Sequence, residues 1–261
     1  QQVRPKLFIL ENVKGILTME KGEIFNQIIE LFSDENNFDG DRYYIHHMVV
    51  KAKEYGIPQQ RERVFIIGSL NKEIDIDEYI EKTKSKVLRK YPYFFNSTSV
   101  WDAISNLQNE DKEGNIINLV PTNQYQKFLS NEENITYNHI KPHHNSIATK
   151  RIKQINAGEN WTKLKDNIKS VHSGAYGRLD KNSCAPTITT RFDTPSGGRF
   201  IHPVEDRTLS PREGARIQSF PDSFKFLGNK TSVYKQIGNA VPPKLAYFYA
   251  NVLQEILNNE Y

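Results

Sequence analysis

Cysteine is almost absent from this sequence of 261 residues, which contains only Cys184. A single cysteine cannot form an internal disulfide, so the chain suits a reducing compartment. Long apolar runs are also absent, because no segment approaches the roughly 20 residues that a membrane-spanning helix requires. The sequence lacks the signal-peptide pattern of a basic start, an apolar core and a small-residue cleavage site. We therefore expect a cytoplasmic protein without a membrane partner.

Neither sign of charge dominates, since 35 Lys and Arg residues against 31 Asp and Glu residues leave a net charge of +4. This small positive excess suits a nucleic-acid ligand, but many other proteins share it. Hydrophobic residues make up 37% of the chain, enough for one large domain or two small ones. The first residue is Gln1 rather than Met, which indicates a fragment, a processed chain or the ordered part of a longer one.

The first 75 residues show the pattern of an open α/β sheet. Lys6–Leu10 is an uninterrupted apolar run, typical of a strand that is buried on both faces of a parallel sheet. Apolar residues at helical spacing follow between residues 24 and 32. Strand-like stretches then occur at Tyr43–Val50 and Arg63–Ile67. This succession predicts half of an open α/β sheet.

The composition changes after residue 75. Residues 75–166 are rich in Asn, Lys, Glu and Tyr, and their pattern predicts one helix, at Val100–Leu107. A second helix is predicted at Pro211–Gln218, where the sequence carries the signature of a capping box. The last segment, Pro243–Leu257, has an apolar stripe at helical spacing and predicts an amphipathic helix.

Three motifs carry polar side chains suited to chemistry, and each also has a purely structural explanation. Glu11 directly follows the first predicted strand, where open α/β sheets bind ligands, although a helix cap would explain it too. Arg61 and Arg63 alternate, so in an extended chain both would face one side and could hold phosphate, but such charge runs are usually solvated. Gly238-Asn239 predicts a turn at the start of the last helix, which either binds an anion or merely begins that helix.

The order of four sequence blocks is more specific than any one of them. The sequence contains ENVKG at Glu11, IPQQRERVFIIG from Ile57, RTLSPREGARIQSFPDSF from Arg207 and YKQIGNAVPPKLA from Tyr234. These blocks closely resemble, in the same order, the later conserved blocks of bacterial DNA (cytosine-5)-methyltransferases. PTITTR at Pro186–Arg191 resembles the signature of that family's target-recognition domain. The resemblance spans essentially the whole chain.

The resemblance implies a fold and a division into domains. The fold class is α/β: part of a doubly wound, Rossmann-like methyltransferase sheet, with a smaller, irregular target-recognition domain that contains strands. Residues 1–75 would form the C-terminal half of the catalytic domain, and residues 76–230 the target-recognition domain. Residues 231–261 would form a helix that returns to the catalytic domain.

The implied reaction transfers a methyl group from S-adenosyl-L-methionine to C5 of a cytosine that is flipped out of duplex DNA. Glu11 resembles the family residue that acts at N3 of cytosine, and Arg63 the residue that holds the flipped nucleotide, with Arg61 supporting the same pocket. The residues that match cofactor positions are Phe220, Asn239 and Ala240. The residues that match the recognition signature are Thr187, Ile188 and Arg191. The family also suggests a restriction-modification system.

Two parts of the family pattern are absent from the sequence: the glycine-rich cofactor loop and the Pro-Cys loop that bears the nucleophile. Cys184 lies in the recognition segment, so we expect it to be a bystander. His139, His143 and His144 lack further ligands at a metal-binding spacing, so no metal is expected. A missing N-terminal segment or subunit is therefore expected as a partner. An incomplete single-chain enzyme, one subunit of a split methyltransferase and an inactive DNA-recognition subunit all stay open.

Overall fold

The computed structural model describes residues 3–108, 110–166 and 173–261. The chain forms two compact units, one of Gln1–Lys51, Glu62–Phe94 and Leu245–Tyr261, the other of Ala52–Arg61 and Phe95–Lys244. The strands of the described residues are β1 (Leu7–Val13), β2 (Tyr43–Lys51), β3 (Gln59–Gln60), β4 (Glu62–Leu70) and β5 (Ala185–Pro186). Their α-helices are α1 (Glu23–Ser33), α2 (Ile76–Lys90), α3 (Val100–Ile104), α4 (Gln124–Leu129), α5 (Ser146–Ile152), α6 (Pro211–Ile217), α7 (Lys230–Asn239) and α8 (Pro243–Glu260).

The sheet of the first unit has the strand order β1-β4-β2, and β4 is antiparallel to both neighbours. Its central strand is almost wholly buried from Val64 to Ile67. In the register, Phe65 lies opposite Glu11 on one side and opposite Met48 on the other. The two strand-like stretches that were predicted after the first helix are confirmed as β2 and β4.

The prediction for the first strand is wrong in two respects. β1 runs antiparallel to β4 rather than parallel to it, and none of its seven described residues is fully buried. Leu10 and Val13 are 39% and 51% exposed. The reason is that β1 has a neighbour on only one side in the sheet of the described residues, whereas β4 is enclosed. A short apolar run does not by itself distinguish these two situations.

Helices cover both faces of this sheet. Alternate residues of a strand point to opposite faces, and Val64 and Ile66 form one cluster with Phe25 of α1. On the other face, the ring of Tyr249 in α8 meets the ring of Phe65 edge-on, with centroids 4.7 Å apart. The amphipathic helices predicted at either end of the chain are therefore confirmed as α1 and α8.

Helix α2 lies in a segment for which the sequence pattern predicts no helix. Asp75 caps it, since its side chain accepts a hydrogen bond of 3.0 Å from the backbone N–H of Glu78. Its buried residues recur at helical spacing and are Ile76, Tyr79, Thr83 and Val87. The capping residue therefore indicated the start of this helix in the sequence. The apolar periodicity was obscured because the segment is rich in Lys and Glu and because its buried positions include Thr and Tyr.

The second unit consists of short helices joined by irregular segments. Strands β3 and β5 pair in parallel over two residues each, beginning with Gln59 opposite Ala185. The helices predicted at residues 100–107 and 211–218 are confirmed as the shorter α3 and α6. The capping box that begins α6 is present, with Ser210 and Glu213 bonding each other's backbone N–H groups.

The Gly238-Asn239 pair is not a turn, which corrects the prediction. Both residues belong to the last turn of α7, and Ala240 is its C-cap. They therefore lie at the carboxyl end of a helix, where the macrodipole is negative, and not at the amino end that would attract an anion. Local sequence misled here because glycine is far more common after a helix than inside one.

The compact units divide the chain at other residues than the predicted domains do. Residues 76–94 belong to the first unit, and residues 52–61 and 231–244 belong to the second. The assignment of catalysis and target recognition to particular parts of the chain stays a prediction. No helix in the described part of the chain is long and apolar enough to cross a membrane.

Candidate functional site

Glu11 and Arg63 meet on one face of the sheet in the first unit. Arg63 lies opposite Val13 in the strand register, so Glu11 and Arg63 are diagonal neighbours within reach of long side chains. Arg63 Nε lies 2.8 Å from Glu11 Oε1. The side chains are 14% and 27% exposed, respectively. The structure thus brings these two predicted residues together in a half-buried ion pair.

Charge attraction, rather than an aligned hydrogen bond, holds this pair together. Among the described residues Glu11 Oε1 has no hydrogen-bond partner, because the nearby Arg63 N–H is close but not aligned with it. Arg63 Nη1 donates to the carbonyl of Glu62 at 2.7 Å, which orients the guanidinium. A buried carboxylate oxygen without a hydrogen bond is unfavourable. Glu11 Oε1 is thus enclosed against Arg63, and the 27% exposure of the Glu11 side chain leaves only part of the carboxyl open to a ligand.

Arg61 has a different environment from Arg63. It is 3% exposed, precedes β4, and donates to the carbonyls of Ile188 at 3.4 Å, Gly238 at 3.3 Å and Ala240 at 3.1 Å. The alternation that would place both arginines on one face applies only within an extended strand, and Arg61 lies outside it. Arg61 connects separate segments of the second unit, and a catalytic role for it stays a prediction.

The three residues predicted to contact DNA differ in exposure. The side chain of Arg191 is 67% exposed, and its Nη2 donates to Thr194 Oγ1 at 3.2 Å. Ile188 is fully buried in the core of the second unit, so its side chain can act only through the position of its neighbours. Thr187 is half-buried, and its hydroxyl donates to the carbonyl of Gln60 at 3.1 Å. Contact of these residues with DNA stays a prediction.

The three predicted cofactor residues also differ in what they offer. Phe220 is 7% exposed, and its ring packs against Phe224 and Phe226 with centroids 5.2 and 4.9 Å away. Ala240 is half-buried, and its carbonyl already accepts a hydrogen bond. Asn239 is exposed at the end of α7. Of these three residues, Asn239 alone presents a polar side chain to solvent.

A buried ion network holds the segment that begins at Arg207. Arg207 donates two hydrogen bonds of 2.8 and 2.7 Å to Glu213, which also accepts from the backbone N–H of Ser210 at 2.7 Å. Burial by itself would raise the pKa of Glu213, but the guanidinium of Arg207 holds that pKa well below its usual range. His202 Nε2 lies 3.6 Å from the same carboxylate. This motif therefore organises the unit.

Two further arginines of the same motif are buried in α6. Arg216 forms two hydrogen bonds of 2.8 Å with Asp222. Arg212 donates to the carbonyls of Tyr137 at 2.7 Å and Pro221 at 3.1 Å, and burial lowers its pKa to about 10. Both side chains are consumed by internal contacts, so they are structural residues and not part of a binding surface.

Histidines of the second unit take part in hydrogen bonds within it. His139 Nδ1 lies 2.8 Å from Ser210 Oγ, and His144 Nε2 accepts from the backbone N–H of Thr208 at 3.1 Å. Burial lowers the pKa of both imidazoles. In residues 3–108, 110–166 and 173–261, no group of three or more His, Cys, Asp or Glu side chains is arranged to hold a metal ion.

Cys184 has the environment of an unreactive thiol. It is half-buried, and its Sγ lies 3.6 Å from the carbonyl of Thr98. Burial raises the pKa of the thiol, which disfavours the thiolate that a nucleophile requires.

Two buried glutamines were not among the predicted site residues. Gln59 and Gln218 are fully buried and hydrogen-bonded to each other at 3.0 Å. Their position inside the two arginine-containing motifs was a weak signal, but their pairing across 159 residues of chain could not be read from local sequence.

Comparison with known proteins supports the motifs. The family model for C-5 cytosine-specific DNA methylases matches residues 1–255. The Type II methyltransferase M.DdeI of Desulfomicrobium norvegicum is 31% identical over 279 residues, which cover 98% of this chain and 64% of that protein. The Type II methyltransferase M.NgoFVII of Neisseria gonorrhoeae is 32% identical, over 99% of this chain and 61% of its own length. This chain thus spans less than two thirds of the length of either relative.

A solved structure leads to the same family. A protein described as a candidate DNA modification methyltransferase, encoded within a prophage (E. coli), superposes with a TM-score of 0.71 at 26% identity, over 99% of this chain and 71% of that one. Because the family model matches nearly every residue of the sequence, this chain belongs to the C-5 cytosine-specific DNA methylase family.

Proposed function

We propose that this chain is the C-terminal part of a DNA (cytosine-5)-methyltransferase, which transfers a methyl group from S-adenosyl-L-methionine to C5 of a cytosine flipped out of duplex DNA. The observation that supports this most directly is the half-buried pair of Glu11 and Arg63, whose atoms lie 2.8 Å apart. Because the curated relatives above are Type II methyltransferases, the proposed setting is a restriction-modification system in the cytoplasm.

The proposed chemistry explains why a carboxyl and a guanidinium are needed together. Cytosine C5 is a poor nucleophile until a thiolate adds to C6, and that addition moves negative charge onto N3 and its amidine system. Glu11 would protonate or hydrogen-bond N3 as this charge develops. Arg63 would hold the flipped nucleotide beside it. The Glu11 side chain is 27% exposed, so its carboxyl is partly open to a base, with the guanidinium of Arg63 beside it.

S-adenosyl-L-methionine would supply the methyl group. On this chain, the exposed amide of Asn239 fits one edge of a cofactor site, whereas the nearly buried ring of Phe220 offers little more than an apolar border. Ala240 would contribute through its backbone position. We propose that the remaining contacts, including the glycine-rich loop, come from another segment.

That segment is also proposed to complete the sheet and to carry the nucleophile. In the sheet of the described residues β1 has an edge without a strand partner, and Leu10 and Val13 on β1 are exposed. An open apolar edge is an aggregation hazard that proteins normally cover. The proposed full fold is therefore a doubly wound methyltransferase sheet in which an N-terminal segment, of this or another chain, borders β1.

The first test asks whether methyl transfer requires this second segment. The chain is expressed alone and together with an N-terminal half that bears the Pro-Cys loop, and transfer is measured with radiolabelled S-adenosyl-L-methionine on duplex DNA. We expect transfer only from the combination. Activity of the chain alone would contradict the proposed division. DNA binding without transfer by the combination would favour an inactive DNA-recognition subunit, which the unreactive environment of Cys184 also allows.

The second test addresses Glu11 in the active combination. Glu11→Gln keeps the size of the side chain but cannot supply a carboxylic proton, so turnover should fall by about 10²-fold, the scale of general acid catalysis. The matched control is Glu62→Gln, which removes a carboxylate of the same sheet whose ion pair with Lys14 spans 2.8 Å. Unchanged turnover of a folded Glu11→Gln enzyme would remove Glu11 from the mechanism.

A further inference from the structure

Gln59 and Gln218 form a buried chain of hydrogen bonds within the second unit. The backbone N–H of Ile188 donates to Gln59 Oε1 at 2.8 Å, and Gln59 Nε2 donates to Gln218 Oε1 at 3.0 Å. Gln218 Nε2 then donates to the carbonyl of Ile237 at 2.6 Å. Two side chains thus connect four separate segments, at positions 59, 188, 218 and 237.

The direction of this chain is fixed at both ends. The backbone N–H of Ile188 can only donate, so it selects the oxygen of Gln59, and the carbonyl of Ile237 can only accept, so it selects the nitrogen of Gln218. The middle bond is then satisfied only if each side chain has one donor end and one acceptor end. An amide meets this requirement, whereas a carboxylate or an apolar side chain leaves a buried polar group unpaired.

Arg61 and Gly238 complete the same connection. The guanidinium of Arg61 donates to the carbonyls of Ile188 and Gly238, so the N–H of Ile188 is held by Gln59 and its C=O by Arg61. A Cβ added at Gly238 would lie 2.4 Å from the carbonyl carbon of Thr189 and 2.6 Å from the nitrogen of Thr190. The end of α7 therefore rests directly on the peptide bond between Thr189 and Thr190.

We propose that Gln59 and Gln218 are positioning residues that lock the segment Pro186–Arg191 to the end of α7, and thereby couple DNA recognition to cofactor binding. This inference rests on the proposed function, which places a cofactor contact at Asn239, and on the contact with DNA predicted for Thr187 and Arg191. Since both sets of contacts flank the locked peptides, a ligand that orders one segment also orders the other. The two ligands then strengthen each other's binding by the same factor.

The first readout is the local order of Pro186–Arg191, and measuring it requires no enzyme activity. In the complete methyltransferase, Gln218→Met leaves Gln59 Nε2 without its buried acceptor, so amide hydrogen exchange at Ile188 should quicken about tenfold or more. The matched control is Gln126→Met, which removes another fully buried glutamine of the same unit, bonded to Thr122 and Asp102. Exchange at Ile188 in this control should match that of the wild type.

The second readout is the coupling between ligands, which a merely structural residue would not change. The affinity for radiolabelled S-adenosyl-L-homocysteine is measured with and without saturating unmethylated phage λ DNA. The DNA-induced gain in affinity should fall about tenfold in Gln218→Met but stay at the wild-type value in Gln126→Met, even if both variants lose similar stability. Gln218→Asn, whose amide is one methylene too short to reach both Gln59 and the carbonyl of Ile237, replaces Gln218→Met if the latter does not fold.

The outcomes separate this inference from the proposed function. Equal exchange at Ile188 in the two glutamine variants overturns the positioning role, and an unchanged DNA-induced gain in Gln218→Met overturns the coupling. If the wild-type enzyme binds neither S-adenosyl-L-homocysteine nor λ DNA, the proposed function and the coupling are both contradicted. Amide hydrogen exchange at Ile188 then still decides whether the two glutamines position Pro186–Arg191.

Discussion

His202 should make the stability of the second unit depend on pH between about 6.5 and 4. It is 4% exposed, and burial lowers its pKa from 6.5 to about 4. Its Nδ1 accepts the backbone N–H groups of Val204 at 3.2 Å and Glu205 at 2.9 Å, so protonation at that nitrogen would break both bonds. The folded unit therefore holds the neutral imidazole.

The sign and size of the effect follow from linkage. Between pH 6.5 and 4 the unfolded chain binds a proton at His202 that the folded unit does not, so the free energy of unfolding falls as the pH falls. A pKa difference from 6.5 to about 4 corresponds to about 3 kcal/mol. This stability is fully present above pH 6.5 and is lost progressively down to pH 4.

His202→Asn isolates this contribution, because the asparagine Oδ1 can replace Nδ1 as the acceptor and does not titrate. Urea unfolding is followed at pH 7 and pH 4 by the fluorescence of Trp101 and Trp161, the only two tryptophans of the chain, both in the second unit. From pH 7 to pH 4, the free energy of unfolding of the variant should rise by about 3 kcal/mol relative to that of the wild type. His143→Asn, which removes an exposed imidazole, is the matched control. A stability difference that is the same at both pH values would refute the reasoning.

Three other predictions follow from single contacts. Gly238→Ala should lower the free energy of unfolding by about 1–3 kcal/mol, because the new Cβ would overlap the backbone of Thr189. At Gly15 an added Cβ meets no atom within 4 Å, so Gly15→Ala should be nearly neutral in the same urea titration. Burial lowers the pKa of Lys244 to about 7, so the free energy of unfolding should rise between pH 7 and 10.5 by up to about 5 kcal/mol. Lys244→Met should flatten that rise, and an equally steep rise in the variant would exclude Lys244 as its source. Cys184→Ser should keep full methyl transfer in the complete enzyme, because burial raises the pKa of the Cys184 thiol and disfavours the nucleophilic thiolate. A covalent adduct between Cys184 and a mechanism-based cytosine analogue in DNA would contradict this prediction.

The sequence by itself determined the elements that depend on local patterns. The helix α1, the strands β2 and β4, and the helix α8 follow from the spacing of apolar residues, which neighbours along the chain dictate. The start of α6 follows from a capping box that spans the four residues from Ser210 to Glu213. The order of the sequence blocks likewise pointed to the family that the comparisons confirm.

Only the tertiary structure decided what depends on partners far along the chain. It shows that β1 pairs antiparallel with β4. It also shows that Glu11 and Arg63 form an ion pair although they are 52 positions apart in the sequence and no local pattern joins them. It buries Ile188 in a core and occupies Arg61 with carbonyls from two other segments. The physical reason is that a hydrogen bond or an ion pair depends on distance in space, whereas periodicity and capping reach only a few residues along the chain.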